Sequence, residues 1–480
     1  MRAVGRVFAL ILGLALLSCG PRPAHPLSAF EGRLSDWARE ILSDSPELAT
    51  QAGVSTDAAG GPYGDRLDDR SLVAVEARRS AALRRNVELI SFDAGDLNAA
   101  DRLTFSVLRD QFAAAAQGAD FAFGDFTPLG GMKPYVLNQL DSAFLTLPSF
   151  LDERHDIRST ADAEDYLLRL RQVAAAIDAE TARARADAQA GVRPPLFIMD
   201  ATLRLLDDAI AQPLATQPYI VSFRRKLDQL AATESDASRR AAADQRNLAF
   251  LARAEGIVRD SIIPAHQRAA AFLRSDRANA GDDPGVMRLP RGQEYYAAAL
   301  RIETTTSLSP SEIHTIGLAR VAALNNQLDI ALRRLGLTEG AVGARLAQLT
   351  VDPRYQYEDS DAGRAQLIAD VQARVARMME RAPQWFGALP RAPLEVRRVP
   401  PFAETTQPGA YYSPPSINGE TPGVYYINLR DLSEMTRIDL PTQDFHEAVP
   451  GHHFQVALAQ EIDDAPLLRR LIAFNAYGEG

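Results

Sequence analysis

The stretch Asp444-Phe-His-Glu-Ala-Val-Pro-Gly-His-His-Phe-Gln455 holds three of the seven histidines of this 480-residue chain. Histidines beside a glutamate are typical of a zinc hydrolase, because neutral imidazoles bind the metal and the carboxylate can act as a general base. The usual pattern is H-E-x-x-H on one helix, with the histidines at i and i+4. Here Glu447 follows His446, but the next histidines are His452 and His453, so the spacing differs from that pattern.

On a regular helix, His446 and His452 lie roughly 240° apart, and His446 and His453 are separated by roughly 10 Å of rise. Zinc–nitrogen bonds are only about 2.0–2.1 Å long, so neither pair can chelate zinc from an undistorted helix. Pro450-Gly451 can interrupt the helix, and two looped-out residues would return His452 to the i+4 position. The alternative is that Pro-Gly simply ends the helix and that two ordinary surface histidines follow. His453 rather than His452 also stays open as the ligand.

The composition is that of a globular protein, with 46% hydrophobic and 24% charged residues, long enough for one large domain or several smaller ones. The net charge of −10 gives no basic surface for nucleic acid, so we expect no nucleic-acid partner. The single cysteine, Cys19, excludes an intramolecular disulfide. Nothing in the sequence specifies an oligomeric state.

Residues 1–18 have the features of a secretory signal, since Arg2 and Arg6 precede an apolar run that is too short to span a bilayer. The run ends in Leu16-Leu-Ser-Cys19-Gly, which resembles a bacterial lipobox with lipid attached to the sulfur of Cys19. Residues 19–28 would then form the lipidated tether. We predict attachment to the membrane through this lipid only, facing the periplasm, with the outer membrane favoured over the inner. The alternative is a plain signal peptide with an incidental cysteine.

The rest of the chain reads as mainly α-helical. Leu34, Trp37, Ala38 and Ile41 form one apolar stripe at helical spacing in an N-terminal helical region over residues 29–276. A second region, 277–480, carries the histidines and begins with a linker over 277–290. Residues 394–397 and 423–428 have strand character and predict a small antiparallel sheet beside the histidine helix. Such a strand can pair with an extended peptide, although a purely structural hairpin would look the same.

The chain resembles a bacterial family known as domain of unknown function 885, whose members look like largely helical zinc peptidases related to the gluzincins. The similarity rests on the segments Gly292-Gln-Glu-Tyr-Tyr296, Ser309-Pro-Ser-Glu-Ile-His-Thr-Ile-Gly317, Ala410-Tyr-Tyr-Ser413, Pro422-Gly-Val-Tyr-Tyr-Ile-Asn428, His446-Glu-Ala-Val-Pro-Gly-His452 and Tyr477-Gly-Glu-Gly480. The resemblance implies a large helical, gluzincin-like architecture with a small sheet next to the metal-binding helix.

The resemblance also implies roles for individual residues. His446 and His452 would bind Zn²⁺, Glu447 would act as the base, and Glu479 would be the third ligand. Because the family continues beyond the position that matches Gly480, the C-terminal part of the catalytic region looks missing, which leaves the activity of this form open.

These observations predict a zinc-dependent hydrolase of peptide bonds, acting on short peptides in the cell envelope. Tyr411 or Tyr412 could hydrogen-bond the oxyanion of the tetrahedral intermediate, although paired tyrosines before a turn are also common structural residues. One alternative is a lipid-anchored binding or scaffold protein without turnover. Another is a zinc hydrolase that acts on a non-peptide amide or ester.

Overall fold

A computed structural model of the chain describes residues 28–401, 403–405, 407–472 and 474–479. The predicted signal sequence and Cys19 lie outside these residues. No helix in the described part of the chain is long and apolar enough to cross a membrane. The helices are α1 (Ala29–Asp44), α2 (Pro46–Ala52), α3 (Leu72–Ile90), α4 (Ala99–Ala119), α5 (Ala143–Glu153), α6 (Thr160–Gln189), α7 (Leu196–Ala211), α8 (Pro218–Ala232), α9 (Ala237–Ile257), α10 (Ile263–Asp276), α11 (Gly292–Thr304), α12 (Pro310–Arg334), α13 (Val342–Thr350), α14 (Asp361–Arg381), α15 (Leu440–Glu447), α16 (His452–Gln460), α17 (Leu467–Leu471) and α18 (Asn475–Glu479).

The helices form as the local sequence predicts. The apolar stripe of α1 is buried at Leu34, Trp37, Ala38 and Ile41, where it packs with residues of α3, α4 and α17. Helix α12 begins with a capping box in which the Ser309 side chain accepts from the backbone N–H of Glu312 and the Glu312 side chain accepts from that of Ser309. The predicted mainly helical fold is therefore confirmed.

The largest hydrophobic core joins helices α5 to α10 in the first half of the chain. Its largest fully buried aromatic side chains include Tyr166 and Phe223, whose rings stack with centroids 4.4 Å apart. A second core surrounds the histidine helices and combines residues of α14, α15 and α16 with the central strand of a small sheet. Packing against both the sheet and α14 fixes the position of α15.

In the described part of the chain, five short strands form two small sheets. They are β1 (Asp125–Phe126), β2 (Met132–Lys133), β3 (Leu394–Arg398), β4 (Ala410–Ser413) and β5 (Gly423–Ile427). Strands β1 and β2 pair antiparallel, and β3, β4 and β5 form a sheet in the order β3-β5-β4. In that sheet β4 is antiparallel to β5, whereas β3 is parallel to it. The sheet is therefore mixed rather than wholly antiparallel. Parallel strands need a long connection, and residues 399–422, which include β4, provide it between β3 and β5.

Candidate metal centre

The histidine stretch folds as two helices separated by a break at the predicted Pro-Gly position. Helix α15 ends at Glu447 and α16 begins at His452, with a cis peptide bond between Val449 and Pro450. The break replaces the predicted bulge within one helix, but it has the predicted effect on the histidines. The ring centroids of His446 and His452 are 4.4 Å apart.

Gly451 allows the backbone to turn back at this break. A Cβ atom at this position would lie 1.8 Å from the carbonyl oxygen of His446 and 2.4 Å from that of Phe445. Both atoms belong to the backbone of α15, so no side chain can move aside to make room. The close approach of Gly451 to α15 therefore requires glycine, independently of any preference for particular φ and ψ values.

Gly451→Ala is expected to destabilise the protein by about 1–3 kcal/mol, because the added methyl group overpacks the backbone of α15. Urea unfolding followed by circular dichroism would measure this change. Gly317→Ala is the matched control, since Gly317 lies within α12 and a Cβ there meets nothing within 4 Å. The control should be neutral or stabilising by up to about 1 kcal/mol. An equal response of the two variants would contradict the packing argument.

Glu479 completes a cluster with the two histidines. One donor atom each from His446, His452 and Glu479 lies within 4.8 Å of the other two. His446 Nε2 is 3.3 Å from Glu479 Oε2, and His452 Nε2 is 4.0 Å from Glu479 Oε1. Donors placed tetrahedrally at zinc bond lengths are about 3.4 Å apart, so small side-chain rotations would fit the three atoms to one ion. We call these three residues the histidine–glutamate cluster.

The cluster is open to solvent on one side. The side chain of Glu479 is 57% exposed and that of His446 is 41% exposed, whereas His452 is only 16% exposed. Burial lowers the pKa of His452, and neighbouring His446 lowers it further, which favours the neutral imidazole that binds metals. One largely buried imidazole and two partly exposed donors leave space on the outer side for water or a substrate.

Glu447 lies at the inner side of the cluster. Its Oε2 atom is 3.9 Å from His452 Nε2, and the residue is only 8% exposed. Burial raises the pKa of Glu447, while the charge of His446 and the backbone amide of Tyr412 act in the opposite direction. A buried carboxylate with a raised pKa beside a group of metal donors is what a general base requires.

Two tyrosines were candidates for stabilising an oxyanion, and the structure separates them. Neighbouring strand residues point to opposite faces of a sheet, so Tyr411 and Tyr412 of β4 cannot both face the cluster. The Tyr411 hydroxyl donates to Glu153 Oε1 at 2.9 Å, and its ring stacks on Tyr426. The prediction for Tyr411 is therefore wrong, because its side chain lies on the face of the sheet that packs against the end of α5.

Tyr412 lies on the same side as the histidines, but its hydroxyl is bound elsewhere. It is 3.0 Å from Nδ1 of His453, which is fully buried, and its ring centroid is 6.3 Å from that of His452. The structure therefore uses His453 to hold Tyr412 and places His452, not His453, in the cluster. Gly423 leaves room for this contact, since a Cβ there would lie 2.6 Å from the Tyr412 hydroxyl oxygen.

Asp444 is a residue of the site that the sequence analysis gave no role. It is 1% exposed, accepts a hydrogen bond from the Tyr425 hydroxyl at 3.0 Å and pairs with Arg374 of α14. These contacts tie α15 to β5 and α14, two residues before His446. The sequence held one signal of this role: Asp444 is an acidic residue on the inward face of a short helix, next to the apolar Phe445.

Glu479 is positioned by the last short helix, α18. The side-chain amide of Asn475 donates to Glu303 Oε2 of α11 at 2.6 Å, which links α18 to the helices of the preceding region. Helix α17 packs its Leu468 into the core formed by α1, α3 and α4. The C-terminal donor of the cluster therefore depends on contacts made far along the chain. The family resemblance named Glu479 as a ligand, but the local sequence does not show how it reaches the histidines.

Comparison with known proteins identifies the family. Residues 46–480 match the model of a family described as bacterial protein of unknown function, DUF885. This chain belongs to the DUF885 family. No curated protein matches it.

Two solved structures share the fold of this DUF885 protein. One comes from Colwellia psychrerythraea, with a TM-score of 0.87 and 25% sequence identity over 94% of this chain and 76% of the other. The second, from Shewanella oneidensis, has a TM-score of 0.55 and 14% identity over 94% of this chain and 77% of the other. Both are described as "putative" lipoproteins, the second of unknown function.

Proposed function

We propose that this DUF885 protein is a zinc-dependent hydrolase of short peptides. The observation that carries the proposal is the histidine–glutamate cluster, with three donor atoms within 4.8 Å of one another and the buried carboxylate of Glu447 beside them. Two imidazoles and one carboxylate are a donor set found in catalytic zinc sites, which keep a further position open for water or substrate. When bound, zinc would supply a Lewis acid for the scissile carbonyl and lower the pKa of water.

The roles of the protein residues follow from their positions. His446, His452 and Glu479 would hold the ion. Glu447 would take a proton from the attacking water and pass it to the leaving amine. The buried contacts of Asp444 with Tyr425 and Arg374 would fix α15, and with it the direction of the His446 and Glu447 side chains.

The preference for peptides rests on the neighbouring sheet. Strand β4 lies at the edge of the sheet, and α15 packs against it. The backbone amide of Tyr412 in this strand donates a hydrogen bond to the carboxylate of Glu447, which lowers the pKa of that group. An edge strand can pair with an extended peptide through main-chain hydrogen bonds, which would lay a peptide bond near the proposed base. A non-peptide amide or ester would not gain these contacts.

We also propose that the protein is anchored in the cell envelope through lipid on Cys19. The sequence Leu16-Leu-Ser-Cys19 supports this, as do the two similar structures that are described as "putative" lipoproteins. Metabolic labelling with a radioactive fatty acid, compared with a Cys19→Ala variant, tests the anchor. Equal labelling of both forms would contradict it.

A substrate panel tests the hydrolase directly. The zinc-loaded protein would be incubated with di- to hexapeptides, an unfolded protein, and matched ester and non-peptide amide substrates, before and after removal of metal with a chelator. We expect turnover of the short peptides that is lost with the chelator and restored by zinc. Bound zinc without turnover of any substrate would favour a binding or scaffold protein. Turnover of the esters alone would favour the non-peptide hydrolase.

Glu479→Ala is expected to weaken zinc binding by at least about tenfold, because one of three donors is removed. The apparent zinc affinity can be measured by competition with a chromophoric chelator. Glu380→Ala is the matched control, since Glu380 is also an exposed glutamate near the end of a helix but lies outside the cluster. An unchanged affinity in Glu479→Ala would remove Glu479 from the proposed ligand set.

A further inference from the structure

Strand β4 makes side-chain contacts on both of its faces, and they lead to two different parts of the molecule. Tyr412 faces the histidine helices, where its hydroxyl is 3.0 Å from Nδ1 of His453 and its backbone amide donates to the carboxylate of Glu447. Tyr411 and Ser413 face the opposite way, towards the end of α5. A contact that fixes one face of this strand therefore also fixes the groups on the other.

Two neighbouring residues at the end of α5 hold the second face. The Tyr411 hydroxyl donates to Oε1 of Glu153, the last residue of α5, at 2.9 Å. Arg154, which follows directly, donates to Ser413 Oγ and, at 2.8 Å, to the backbone carbonyl oxygen of Pro414. The contacts cover β4 from its second residue to the residue after its end. We call Glu153 and Arg154 the α5 clamp.

The length and position of β4 explain why such contacts matter. The strand has only four residues, and it lies at the edge of the sheet, where it pairs with β5. The described parts of the flanking segments 399–409 and 414–422 contain no helix or strand that could hold it from either end. A short edge strand between irregular segments has little local stability of its own. Its position therefore depends on its side-chain contacts.

The contact between Tyr411 and Glu153 is of a strong kind. Glu153 is partly buried, and burial raises its pKa, while the hydrogen bond from Tyr411 and the charge of Arg154 lower it. Burial and the carboxylate of Glu153 raise the pKa of Tyr411, so its hydroxyl keeps the proton that it donates. Hydrogen bonds to an ionised, shielded carboxylate are roughly twice as strong as those between neutral groups.

We propose that Glu153 and Arg154 are positioning residues that hold β4 from the Tyr411 side and thereby keep Tyr412 directed at Glu447. Neither residue is one of the three clustered donors. The expected effect on turnover rests on the hydrolase function proposed above, because it acts through the base. The expected effect on Tyr412 itself does not, and it can be measured separately.

In the zinc-loaded full-length protein, Glu153→Ala should lower both kcat and kcat/KM for a short peptide by about tenfold to a hundredfold, since displacing a catalytic group by about 1 Å has an effect of this size. The zinc content should not change. Glu153→Gln keeps an acceptor for the Tyr411 hydroxyl and should retain near wild-type turnover. Asp152→Ala is the matched control, because this neighbouring carboxylate pairs with Arg225 of α8 rather than with β4. It should keep the wild-type kcat.

Tyr411→Phe tests the same contact from the side of the strand. The variant keeps the ring that stacks on Tyr426, so it should fold. It should lose turnover as Glu153→Ala does, and the double variant should lose no more than the more affected single variant, because both changes remove one contact. Additive losses would show that the two residues act separately, and the clamp would be contradicted.

A second measurement does not need turnover. In ¹⁵N-histidine-labelled protein, seven histidines contribute imidazole signals, and the signal of His453 is the one that shifts most in Tyr412→Phe. At one pH and one zinc concentration, Glu153→Ala and Tyr411→Phe should shift the same signal in the same direction. Glu153→Gln and Asp152→Ala should leave it where it is in the wild type.

The two measurements separate the possible failures. If the His453 signal is unshifted in both Glu153→Ala and Tyr411→Phe while circular dichroism shows both folded, the proposal is wrong and the clamp contributes to stability only. A shifted signal with wild-type kcat would contradict the effect on the base. If the wild-type protein has no turnover but the signal shifts as expected, the hydrolase function fails and the positioning of Tyr412 stands.

Discussion

Glu447→Gln is expected to keep zinc bound and to lower the turnover of a short peptide by about a hundredfold to ten-thousandfold. Glutamine has the shape of glutamate but cannot accept the proton of the attacking water. Glu447 is not one of the three clustered donors, although its carboxylate lies 3.9 Å from His452. Zinc content by mass spectrometry and kcat at fixed zinc concentration measure the two effects on the same sample.

The control for this substitution should also remove a shielded carboxylate near the cluster. Glu461, at the end of α16, is largely buried and accepts hydrogen bonds from the backbone amides of Arg391 and Ala392. Glu461→Gln can keep hydrogen bonds at this position and should retain near wild-type turnover. If Glu447→Gln retains both metal and turnover, Glu447 is not the base. If it loses the metal, the side chain belongs to the ligand set.

The local elements of this protein were predictable because their signals are local. The stripe from Leu34 to Ile41 specifies one buried helix face, and the β-branched and aromatic run at Gly423–Ile427 specifies a buried strand. Ser309 and Glu312 specify the start of α12. Each of these signals comes from residues at most a few positions apart, so the local sequence alone is enough to predict the element.

Pairing between distant segments was less predictable. The parallel alignment of β3 with β5 depends on the crossover over 399–422, which places β4 at the other side of β5. The face on which Tyr411 lies depends on that arrangement too. The hydrogen bond of Tyr411 to Glu153 of α5, and the opposite orientation of Tyr412, can be predicted only once the position of β4 in the sheet is known.

The histidine cluster is an intermediate case. The order of His446, Pro450, Gly451 and His452 predicts a two-residue bulge that brings two imidazoles together, because an intact helix cannot do so. The structure brings the same two rings together through a break between two helices. The close approach of Gly451 to the α15 backbone gives the physical reason why the residue at that break is glycine. The third donor and the anchoring role of Asp444 depend on α18, α14 and β5, which lie elsewhere in the sequence.

His446→Ala is expected to reduce bound zinc from about one ion per chain to near zero after dialysis against a buffer with low free zinc. The variant keeps His452 and Glu479, whose closest donor atoms are 4.0 Å apart, but two donors bind an ion far more weakly than three. Because the side chain of His446 is 41% exposed, its loss should disturb the packing of α15 little. Mass spectrometry of the metal content measures the change directly.

A stability measurement separates loss of the metal from loss of the fold. Zinc that binds only the folded state at a hundredfold excess over its Kd adds about 2.7 kcal/mol of stability, so it should raise the Tm of the wild-type protein. His446→Ala should have nearly the wild-type Tm without zinc and no increase with zinc. His314→Ala, which removes an exposed histidine of α12, should respond to zinc as the wild type does. If His446→Ala and His314→Ala have the same zinc content and the same Tm shift, then zinc either binds at another site or does not bind at all. Either result would contradict the hydrolase proposal.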